Sequence, residues 1–418
     1  MKFFGTFSLP GDKSIAHRAL IVCSWYKGNH SIKNFPKNED VLTTLGALKL
    51  NGLKYVFDNN SIYIDSTKFD FKESEINCNS SGTSARLLCG YLAGASIKTK
   101  IFGSDSLTMR PMRRICDPLN SFGANIKSSN GFLPIKINPS KRSDAFDYDL
   151  KIPSAQIKAS LILYAMFMRG ESSISGLVKT RDHLENLLSY FGYPITIQDN
   201  KINIQGSDRL SKNLSIELPG DISSAAFIIG GAILLKGSSV QINNISFNKY
   251  RIGFIDKLIE MGANITIKNK RSVYGEDIAD ITASYSPELV GVKISSDFLP
   301  LMIDEVPIMC VIAAYAKGET VIEGIDELRV KESDRVEAIM HNMKKMNGLT
   351  HLIEDKLVIT PKNKLYNTTI NSFGDHRIFM AFYIANLVSG QDFSRKSQDS
   401  CYKKSFTNFF DILDKVVV

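Results

Sequence analysis

The chain has 418 residues, of which 44% are hydrophobic and 22% are charged, and its formal net charge is +8. This length and composition predict a globular protein with more than one hydrophobic core, and no apolar run is long enough to span a membrane. The positive charge favours an anionic partner, but no interleaving of basic and aromatic residues indicates nucleic acid, so we expect small anionic ligands.

The cysteines and histidines give no indication of disulfides or of a metal site. Six residues of each type are present, but neither type shows close pairing or metal-ligand spacing. The apolar stretch within residues 1–10 is too short for a signal peptide. We therefore expect a cytoplasmic protein with reduced cysteines, no metal and no cofactor.

The first predicted turn has a second copy in the middle of the chain. The tetrapeptide Leu-Pro-Gly-Asp occurs at residues 9–12 and again at residues 218–221, each time between an extended run and an apolar helix. Pro fixes φ and Gly permits a tight turn, as such a passage requires. The repetition indicates a duplicated architecture, although only the first copy is followed by cations, Lys13 and Arg18.

A shorter repeat runs through the whole chain. Six times, an extended run leads to a small polar or acidic residue and then to an apolar helix rich in Ala and Gly. A strand, an amphipathic helix and two further strands are predicted after it. The unit therefore reads βαβαββ. The six anchor residues are Ser14, Ser81, Ser154, Ser223, Asp304 and Asp375.

The first helix of each unit has no broad charged face, which predicts burial on all sides. Six units exceed what a single core usually holds, so we divide them three and three at the second Leu-Pro-Gly-Asp. The predicted domains are residues 12–220 and residues 221–418 together with 1–11. The predicted hinge lies at residues 11–12 and 219–221. The fold class is therefore α/β, with two similar domains of buried helices.

Several cations lie beside the predicted helix starts. Helix N-termini present free N–H groups and partial positive charge, which favour phosphate or carboxylate. We therefore predict that these helix starts bind a small anion. The cations are Lys13, Arg18, Arg86, Lys158 and Arg377.

Motifs along the chain resemble, in order, those of the 5-enolpyruvylshikimate-3-phosphate synthases. The two most specific are Leu-Pro-Gly-Asp-Lys-Ser with Arg18, and Arg-Val-Lys-Glu-Ser-Asp-Arg at residues 329–335. The pattern departs at Asp12, where many members have Ser, and at Ala155, where some have a second Ser. The other matching segments are residues 79–86, 110–111, 153–156, 180–183, 304–307, 374–377 and 404–406.

The resemblance implies an inside-out α/β barrel fold and a transferase of the shikimate pathway of aromatic amino acid biosynthesis. The implied reaction transfers the enolpyruvyl group of phosphoenolpyruvate to the 5-hydroxyl of shikimate 3-phosphate and releases phosphate. The resemblance also implies that Lys13, Asp304 and Glu332 are catalytic residues that take part in proton transfer. It also implies a monomer that is sensitive to glyphosate, with no nucleic acid or membrane partner.

The resemblance also implies two sets of binding residues. Lys404 is chosen over Lys403 because Ser405-Phe406 follows it. Phosphoenolpyruvate is expected to contact Lys13, Gly82, Arg110, Gln156, Arg335, Arg377 and Lys404. Shikimate 3-phosphate is expected to contact Lys13, Ser14, Arg18, Ser154, Gln156, Thr180, Arg181, Asp304 and Lys331.

Simpler interpretations exist for single residues and for the whole chain. Ser14, Ser154 and Asp375 have the residue types of helix N-caps, and a run of charges often forms a solvated helix face. The alternative enzyme is the sister enolpyruvyl transferase that acts on UDP-N-acetylglucosamine. It differs in having Lys-Asn at the first motif and a loop cysteine before an Arg-Pro pair. A non-catalytic anion-binding protein on the same scaffold is the third possibility, although it would not need Asp304 and Glu332.

Overall fold

A computed structural model describes residues 1–141, 143–362, 364–392 and 399–418. The chain divides into two compact units. The N-terminal unit contains Gly11–Leu218 and Tyr274–Glu276, and the C-terminal unit contains Met1–Pro10, Pro219–Val273 and Asp277–Val418. Both main division points therefore lie inside a Leu-Pro-Gly-Asp copy. The strand β1 (Phe4–Ser8), although first in the chain, belongs to the C-terminal unit.

The N-terminal unit contains three four-stranded sheets and seven helices within its described residues. Its helices are α1 (Lys13–Trp25), α2 (Glu39–Leu50), α3 (Gly82–Gly94), α4 (Asp105–Thr108), α5 (Arg113–Ser121), α6 (Ala155–Ala165) and α7 (His183–Tyr190). Its strands are β2 (Asn29–Lys33), β3 (Lys54–Asp58), β4 (Ser61–Asp65), β5 (Ser74–Asn77), β6 (Thr99–Phe102), β7 (Asn125–Ser129), β8 (Phe132–Asn138), β9 (Asp147–Leu150), β10 (Glu171–Gly176), β11 (Ile195–Gln198), β12 (Lys201–Gln205) and β13 (Ser215–Glu217).

The C-terminal unit contains two four-stranded sheets and seven α-helices within its described residues. Its helices are α8 (Ile222–Leu234), α9 (Gly253–Glu260), α10 (Val306–Ala313), α11 (Asp326–Arg329), α12 (Arg335–Lys345), α13 (His376–Val388) and α14 (Phe409–Val416). Its remaining strands are β14 (Ser239–Ser246), β15 (Asn264–Val273), β16 (Glu276–Ser284), β17 (Lys293–Ile294), β18 (Thr320–Glu323), β19 (Leu349–Ile353) and β20 (Lys356–Thr360). Short 3-10 helices lie at Leu299–Leu301 and Cys401–Lys404.

All five sheets repeat one topology. Their orders are β13-β2-β4-β3, β5-β6-β8-β7, β9-β10-β12-β11, β1-β14-β16-β15 and β17-β18-β20-β19. The first two strands of each sheet pair in parallel, as in Ile216 opposite Ile32, and the third runs antiparallel to the second, as in Ile62 opposite Ile32. This is the predicted βαβαββ unit with its first strand at the edge.

The sixth βαβαββ repeat departs from this pattern. Its first helix, α13, is present and almost wholly buried. The described residues that follow form the 3-10 helix at Cys401–Lys404 and α14, and no further sheet is formed among them. The repeat of anchors along the sequence therefore extends to the sixth helix, but not to a sixth complete sheet in the described chain.

The first helix of each βαβαββ repeat lies in the core, as predicted. In α8, every residue from Ile222 to Ile233 is buried, and α1, α3, α6, α10 and α13 are similarly enclosed. Their packing is close, because a Cβ on Gly90 of α3 would lie 2.1 Å from the Ser160 carbonyl oxygen of α6. Each of the two compact units has its own hydrophobic core. Burial is favoured because these helices offer little charged surface to water.

Candidate active site

The buried helices α1, α3 and α6 of the N-terminal unit each begin at a side-chain N-cap. Asp12 caps α1 by accepting a hydrogen bond from the Ile15 amide at 2.9 Å. Ser81 and Ser154 cap α3 and α6 in the same way. Ser154 thus has the capping role considered from the sequence, whereas Ser14 lies inside α1. The remaining amides of each first turn supply positive potential.

Lys13 begins α1 and pairs with a carboxylate on the neighbouring helix. Its Nζ lies 2.8 Å from Asp40 Oδ2, and each side chain is 12% exposed. The hydroxyl of Ser84, in the first turn of α3, donates to the Asp40 carbonyl at 3.3 Å. The starts of α1, α2 and α3 are therefore joined around the lysine ammonium. A partly accessible ammonium in this position is suited to bind an anion and to transfer a proton.

Gly82 leaves room for two guanidinium groups at the start of α3. A Cβ at Gly82 would lie 2.7 Å from Arg110 Nη1 and 2.8 Å from Arg86 Nη1. Arg86 Nη1 donates to Gln156 Oε1 at 2.9 Å, and Gln156 donates back to the Thr83 hydroxyl at 3.2 Å. Three of the predicted residues, Gly82, Arg110 and Gln156, are thus brought together. Arg86 links them.

The remaining predicted residues of this unit are placed on α1, α6 and one loop. Arg18 is 3% exposed and donates to the Ser14 carbonyl at 2.8 Å. Thr180 and Arg181 lie on the loop between β10 and α7, where the Thr180 side chain is buried and Arg181 is partly exposed. Thr180 Oγ1 has no hydrogen-bond partner among the described residues. Its unused polar atom is available to a ligand.

In the C-terminal unit, one buried guanidinium contacts three carboxylates. Arg335 begins α12 and is 1% exposed. Its Nη2 donates to Glu332 at 2.7 Å, its Nε to Asp375 at 2.8 Å, and its Nη1 to Asp304 at 3.3 Å. Burial lowers the pKa of Arg335, but the three carboxylates outweigh it, so the pKa lies above its ordinary value. Arg335 therefore remains charged and fixes three acidic side chains.

Asp304 lies between two guanidinium groups. Its Oδ1 is 3.3 Å from Arg335 Nη1 and 3.4 Å from Arg377 Nε, and its side chain is 18% exposed. Lys331 is partly buried, and burial lowers its pKa to about 8 although Asp304 and Glu327 oppose that change. The structure thus brings together Asp304, Glu332, Arg335 and Arg377 in one cluster.

Lys404 lies at the same end of α13 as this cluster. Its Nζ donates to the Gly374 carbonyl at 2.9 Å, one residue before Asp375, the N-cap of α13. Lys403 is exposed. Asp375 also anchors Arg335, so it has more than the capping role considered from the sequence. Lys404 therefore lies beside the N-cap of α13, whereas Lys403 faces solvent.

The second Leu-Pro-Gly-Asp copy has its own polar network in the C-terminal unit. Asp221 caps α8, and Arg251 Nη2 lies 3.4 Å from Asp221 Oδ1 and 2.7 Å from Ser223 Oγ. Glu305, next to Asp304, is 2% exposed, and its pKa is raised by burial and by Asp304. This copy therefore presents a buried, internally paired cluster in place of an accessible lysine.

Three contributors to these clusters were absent from the predicted contact sets. Arg86 had a sequence signal, because it lies one helical turn beyond Gly82 and was noted as a cation at a helix start. The sequence identifies Asp375 only as a repeat anchor and a possible N-cap. Nothing in the sequence identifies Asp40 as a site residue, because its contact with Lys13 depends on the packing of α1 against α2. Lys158, predicted beside a ligand, is instead buried in an ion pair with Glu185.

The described residues contain no group of three or more His, Cys, Asp or Glu side chains that could hold a metal ion. Within the same part of the chain, no helix is both long and apolar enough to cross a membrane. The polar chemistry of the two units therefore consists of cations, carboxylates, hydroxyls and helix starts.

Comparison with known proteins decides between the possible families. The sequence profile of EPSP synthase (3-phosphoshikimate 1-carboxyvinyltransferase) matches residues 2–413. The chain belongs to the EPSP synthase family. It is 39% identical to a 3-phosphoshikimate 1-carboxyvinyltransferase of Thermodesulfovibrio yellowstonii, covering 98% of this chain and 96% of that one. It is 38% identical to that of Clostridium tetani, covering 96% and 92%.

A solved EPSP synthase structure has the same fold. The enzyme from Acinetobacter baumannii superposes with a TM-score of 0.85 at 35% identity, covering 99% of this chain and 96% of that one. The predicted two-domain, inside-out α/β architecture of EPSP synthases is therefore confirmed. The resemblance deduced from scattered motifs is confirmed over nearly the full length of the chain.

Proposed function

We propose that this chain transfers the enolpyruvyl group of phosphoenolpyruvate to the 5-hydroxyl of shikimate 3-phosphate and releases inorganic phosphate. The observation that carries the proposal is the cluster of Asp304 and Glu332 around Arg335, because it combines acid-base groups with cations. A protein that only bound anions would gain nothing from two accessible carboxylates. Family membership over residues 2–413 supports the same activity.

The chemistry requires a base, an acid and fixed positive charge. The 5-hydroxyl oxygen bonds to C2 of phosphoenolpyruvate while its proton leaves and C3 gains a proton to become a methyl group. Elimination then removes one methyl proton and breaks the bond from C2 to the phosphate oxygen. Proton transfers of this kind are accelerated by positioned side chains, and the charges of both substrates require cations.

The proposed catalytic groups are Asp304, Lys13 and Glu332. Asp304 takes the 5-hydroxyl proton, and its position between Arg335 and Arg377 offsets its charge. Lys13 and Glu332 deliver and remove the proton at C3. The two groups differ in chemistry, since Lys13 pairs with one carboxylate and Glu332 with one guanidinium.

The proposed binding groups form two sets, one for each substrate. The guanidinium groups next to Gly82 are suited to the phosphate and carboxylate of phosphoenolpyruvate, because they form paired hydrogen bonds with such anions. The proposed phosphoenolpyruvate contacts are Lys13, Gly82, Arg110, Gln156, Arg335, Arg377 and Lys404, with Arg86 added from the structure. The proposed shikimate 3-phosphate contacts are Lys13, Ser14, Arg18, Ser154, Gln156, Thr180, Arg181, Asp304 and Lys331.

The deciding experiment is a phosphate-release assay with phosphoenolpyruvate and two acceptor substrates in parallel. We expect release that depends on shikimate 3-phosphate and no release with UDP-N-acetylglucosamine. The opposite pattern would identify the sister enzyme. The structure favours the first outcome, because Cys116 is buried within α5 and does not lie on the loop before Arg110-Pro111.

Gly82→Ala is expected to weaken phosphoenolpyruvate binding without unfolding the protein. The new Cβ would meet the tips of two flexible arginine side chains, which move more easily than backbone. Loss of one charge-assisted hydrogen bond costs about 1.5–3 kcal/mol, so the KM for phosphoenolpyruvate should rise about tenfold or more. Inhibition by glyphosate, which we propose to bind the same groups, should weaken in parallel.

Gly46→Ala is the matched control for this substitution. Gly46 is on α2, it is exposed, and an added Cβ would meet no atom within 4 Å. The control should keep both the KM and the glyphosate inhibition of the unmodified protein. An unchanged KM for phosphoenolpyruvate in Gly82→Ala would contradict the placement of this substrate.

The pKa of Lys331 predicts how the use of shikimate 3-phosphate depends on pH. Below about pH 8 the side chain is an ammonium that attracts the anionic substrate, and above that pH it becomes neutral. The kcat/KM for shikimate 3-phosphate should therefore fall above about pH 8, by up to about tenfold per pH unit. Lys331→Arg keeps its charge and should shift the decline to higher pH. An identical profile for both proteins would contradict the role of Lys331.

We propose a cytoplasmic monomer that uses neither nucleic acid nor a membrane. Size-exclusion chromatography with light scattering should give a mass near the 46.5 kDa of one chain. A stable dimer at assay concentrations would contradict the monomer.

A further inference from the structure

We propose that the buried pair Lys158 and Glu185 positions the loop that binds the phosphate of shikimate 3-phosphate. This inference rests on the proposed function, because it assigns a role to two residues behind the Thr180 and Arg181 contacts. Neither Lys158 nor Glu185 is among the proposed substrate contacts. Both belong to the N-terminal unit, on α6 and α7 respectively.

The ammonium of Lys158 is hydrogen-bonded to two loop carbonyls and paired with one carboxylate. Its Nζ donates to the carbonyls of Val178 and Thr180, each at 2.9 Å, and lies 2.7 Å from Glu185 Oε1. The two carbonyls use two of the three N–H donors of the ammonium, and its charge is paired with the Glu185 carboxylate. Both side chains of the ion pair are only 1% exposed. Lys158 therefore acts on the loop and not on a substrate.

This set of contacts connects two predicted binding segments. Lys158 is one helical turn beyond Ser154, the N-cap of α6, and its amide donates to the Ser154 carbonyl at 3.1 Å. Its side chain holds the two loop carbonyls on either side of Lys179, and the Thr180 amide donates to Val178 at 2.7 Å. One buried charge thus fixes the loop relative to the start of α6.

The loop presents one buried hydroxyl that no described residue uses. Thr180 is 6% exposed, and its Oγ1 has no partner among the described residues. A buried hydroxyl without a hydrogen bond is destabilising, so a ligand that accepts or donates a bond there restores the loss. Arg181, the next residue, adds a guanidinium suited to phosphate. The fixed loop therefore has the composition of a phosphate subsite.

The stability of the fold does not explain this pair. The desolvation of two charges opposes folding, and replacing a buried pair by apolar residues of similar size is often neutral or stabilising. Burial raises the pKa of Glu185, and the neighbouring Lys158 opposes that change. The hydrogen bonds from Lys158 to the Val178 and Thr180 carbonyls fix the geometry of the loop, and this role best explains the pair.

The test uses the double variant Lys158→Met with Glu185→Leu, which removes the pair without leaving a charge buried. We expect a melting temperature close to that of the unmodified protein and a KM for shikimate 3-phosphate raised about tenfold, as the loss of one or two hydrogen bonds would give. The KM for phosphoenolpyruvate should stay within about twofold, since Gly82, Arg86 and Gln156 are held by other contacts.

A second measurement separates the phosphate subsite from general damage. The dissociation constants of shikimate 3-phosphate and of unphosphorylated shikimate are measured for both proteins by calorimetry. We expect the double variant to lose preference for the phosphorylated ligand, with little change for shikimate. A folded double variant that keeps the full preference would overturn the positioning role.

The matched control is Lys179→Met, which removes an exposed positive charge from the same loop. It should change the KM for shikimate 3-phosphate by less than about threefold, as expected for a screened surface charge. An equal increase in this control would mean that charge and not positioning is responsible. If the unmodified protein fails to use shikimate 3-phosphate at all, the proposed function itself is wrong. Activity in the unmodified protein with unchanged variants rejects only the positioning role.

Discussion

Glu332→Gln is expected to lower kcat about 10²- to 10⁴-fold, the range attributed to a positioned general acid or base. The carboxylate of Glu332 accepts a hydrogen bond from Arg335 Nη2 at 2.7 Å. A glutamine carbonyl can accept the same bond, so the local geometry is kept while the ability to carry a proton is lost. The KM values for both substrates should change by less than about threefold, because the loss is confined to the transition state.

A proton-exchange assay examines the same step without turnover. In D₂O, reversible addition should place deuterium at C3 of phosphoenolpyruvate, and Glu332→Gln should slow this exchange along with phosphate release. Glu337→Gln is the matched control, because Glu337 is an exposed carboxylate in the first turn of α12. Comparable losses in kcat and in substrate affinity for Glu332→Gln would show a binding role and remove Glu332 from proton transfer.

Lys13→Met is expected to lower kcat/KM by at least about 10³-fold, because it removes both a proton-transfer group and an anion-binding charge. The ammonium lies 2.8 Å from Asp40 Oδ2, at the start of α1. Methionine preserves the length of the side chain but leaves Asp40 without its cation. Steady-state phosphate release at varied concentrations of each substrate measures the loss.

Lys13→Arg separates the two contributions of this lysine. Arginine keeps the positive charge, but its pKa is too high for it to release a proton at neutral pH. We expect KM values near those of the unmodified protein and a kcat still reduced about 10²-fold or more. Lys27→Met, at an exposed lysine just beyond α1, is the control and should be unchanged. Full activity in Lys13→Arg would limit Lys13 to charge alone.

The two Leu-Pro-Gly-Asp copies show how one turn serves two different environments. At Gly11 a Cβ would lie 2.2 Å from the Asn34 carbonyl oxygen, and at Gly220 it would lie 2.7 Å from Ile245 Cδ1, so close packing requires glycine at both positions. The Asp221 amide donates to the Pro10 carbonyl at 3.2 Å, which joins the two copies directly. Beyond the turn they differ, because Lys13 follows the first copy and a buried arginine network surrounds the second.

Much of the fold was predictable from the sequence because its signals are local. The βαβαββ unit follows from the order of apolar stretches and turns, and the burial of α8 follows from the lack of charge between Ile222 and Leu234. The candidate site was also largely predictable, since the family motifs include Gly82, Asp304, Glu332 and Arg335 within short segments. Such patterns depend on neighbours in the chain and need no knowledge of packing.

The tertiary structure alone decided which side chains meet. Lys13 and Asp40 are 27 residues apart, and Arg335 and Asp375 are 40 apart, so both contacts depend on how helices pack. The same is true of Lys158. From the sequence, its charge suggested a bound anion, but in the structure it is buried and contacts Glu185 and the Thr180 carbonyl. A charged residue type indicates that a partner is needed. Which partner it finds is decided by burial and distance, because only packing places two distant groups within hydrogen-bond reach.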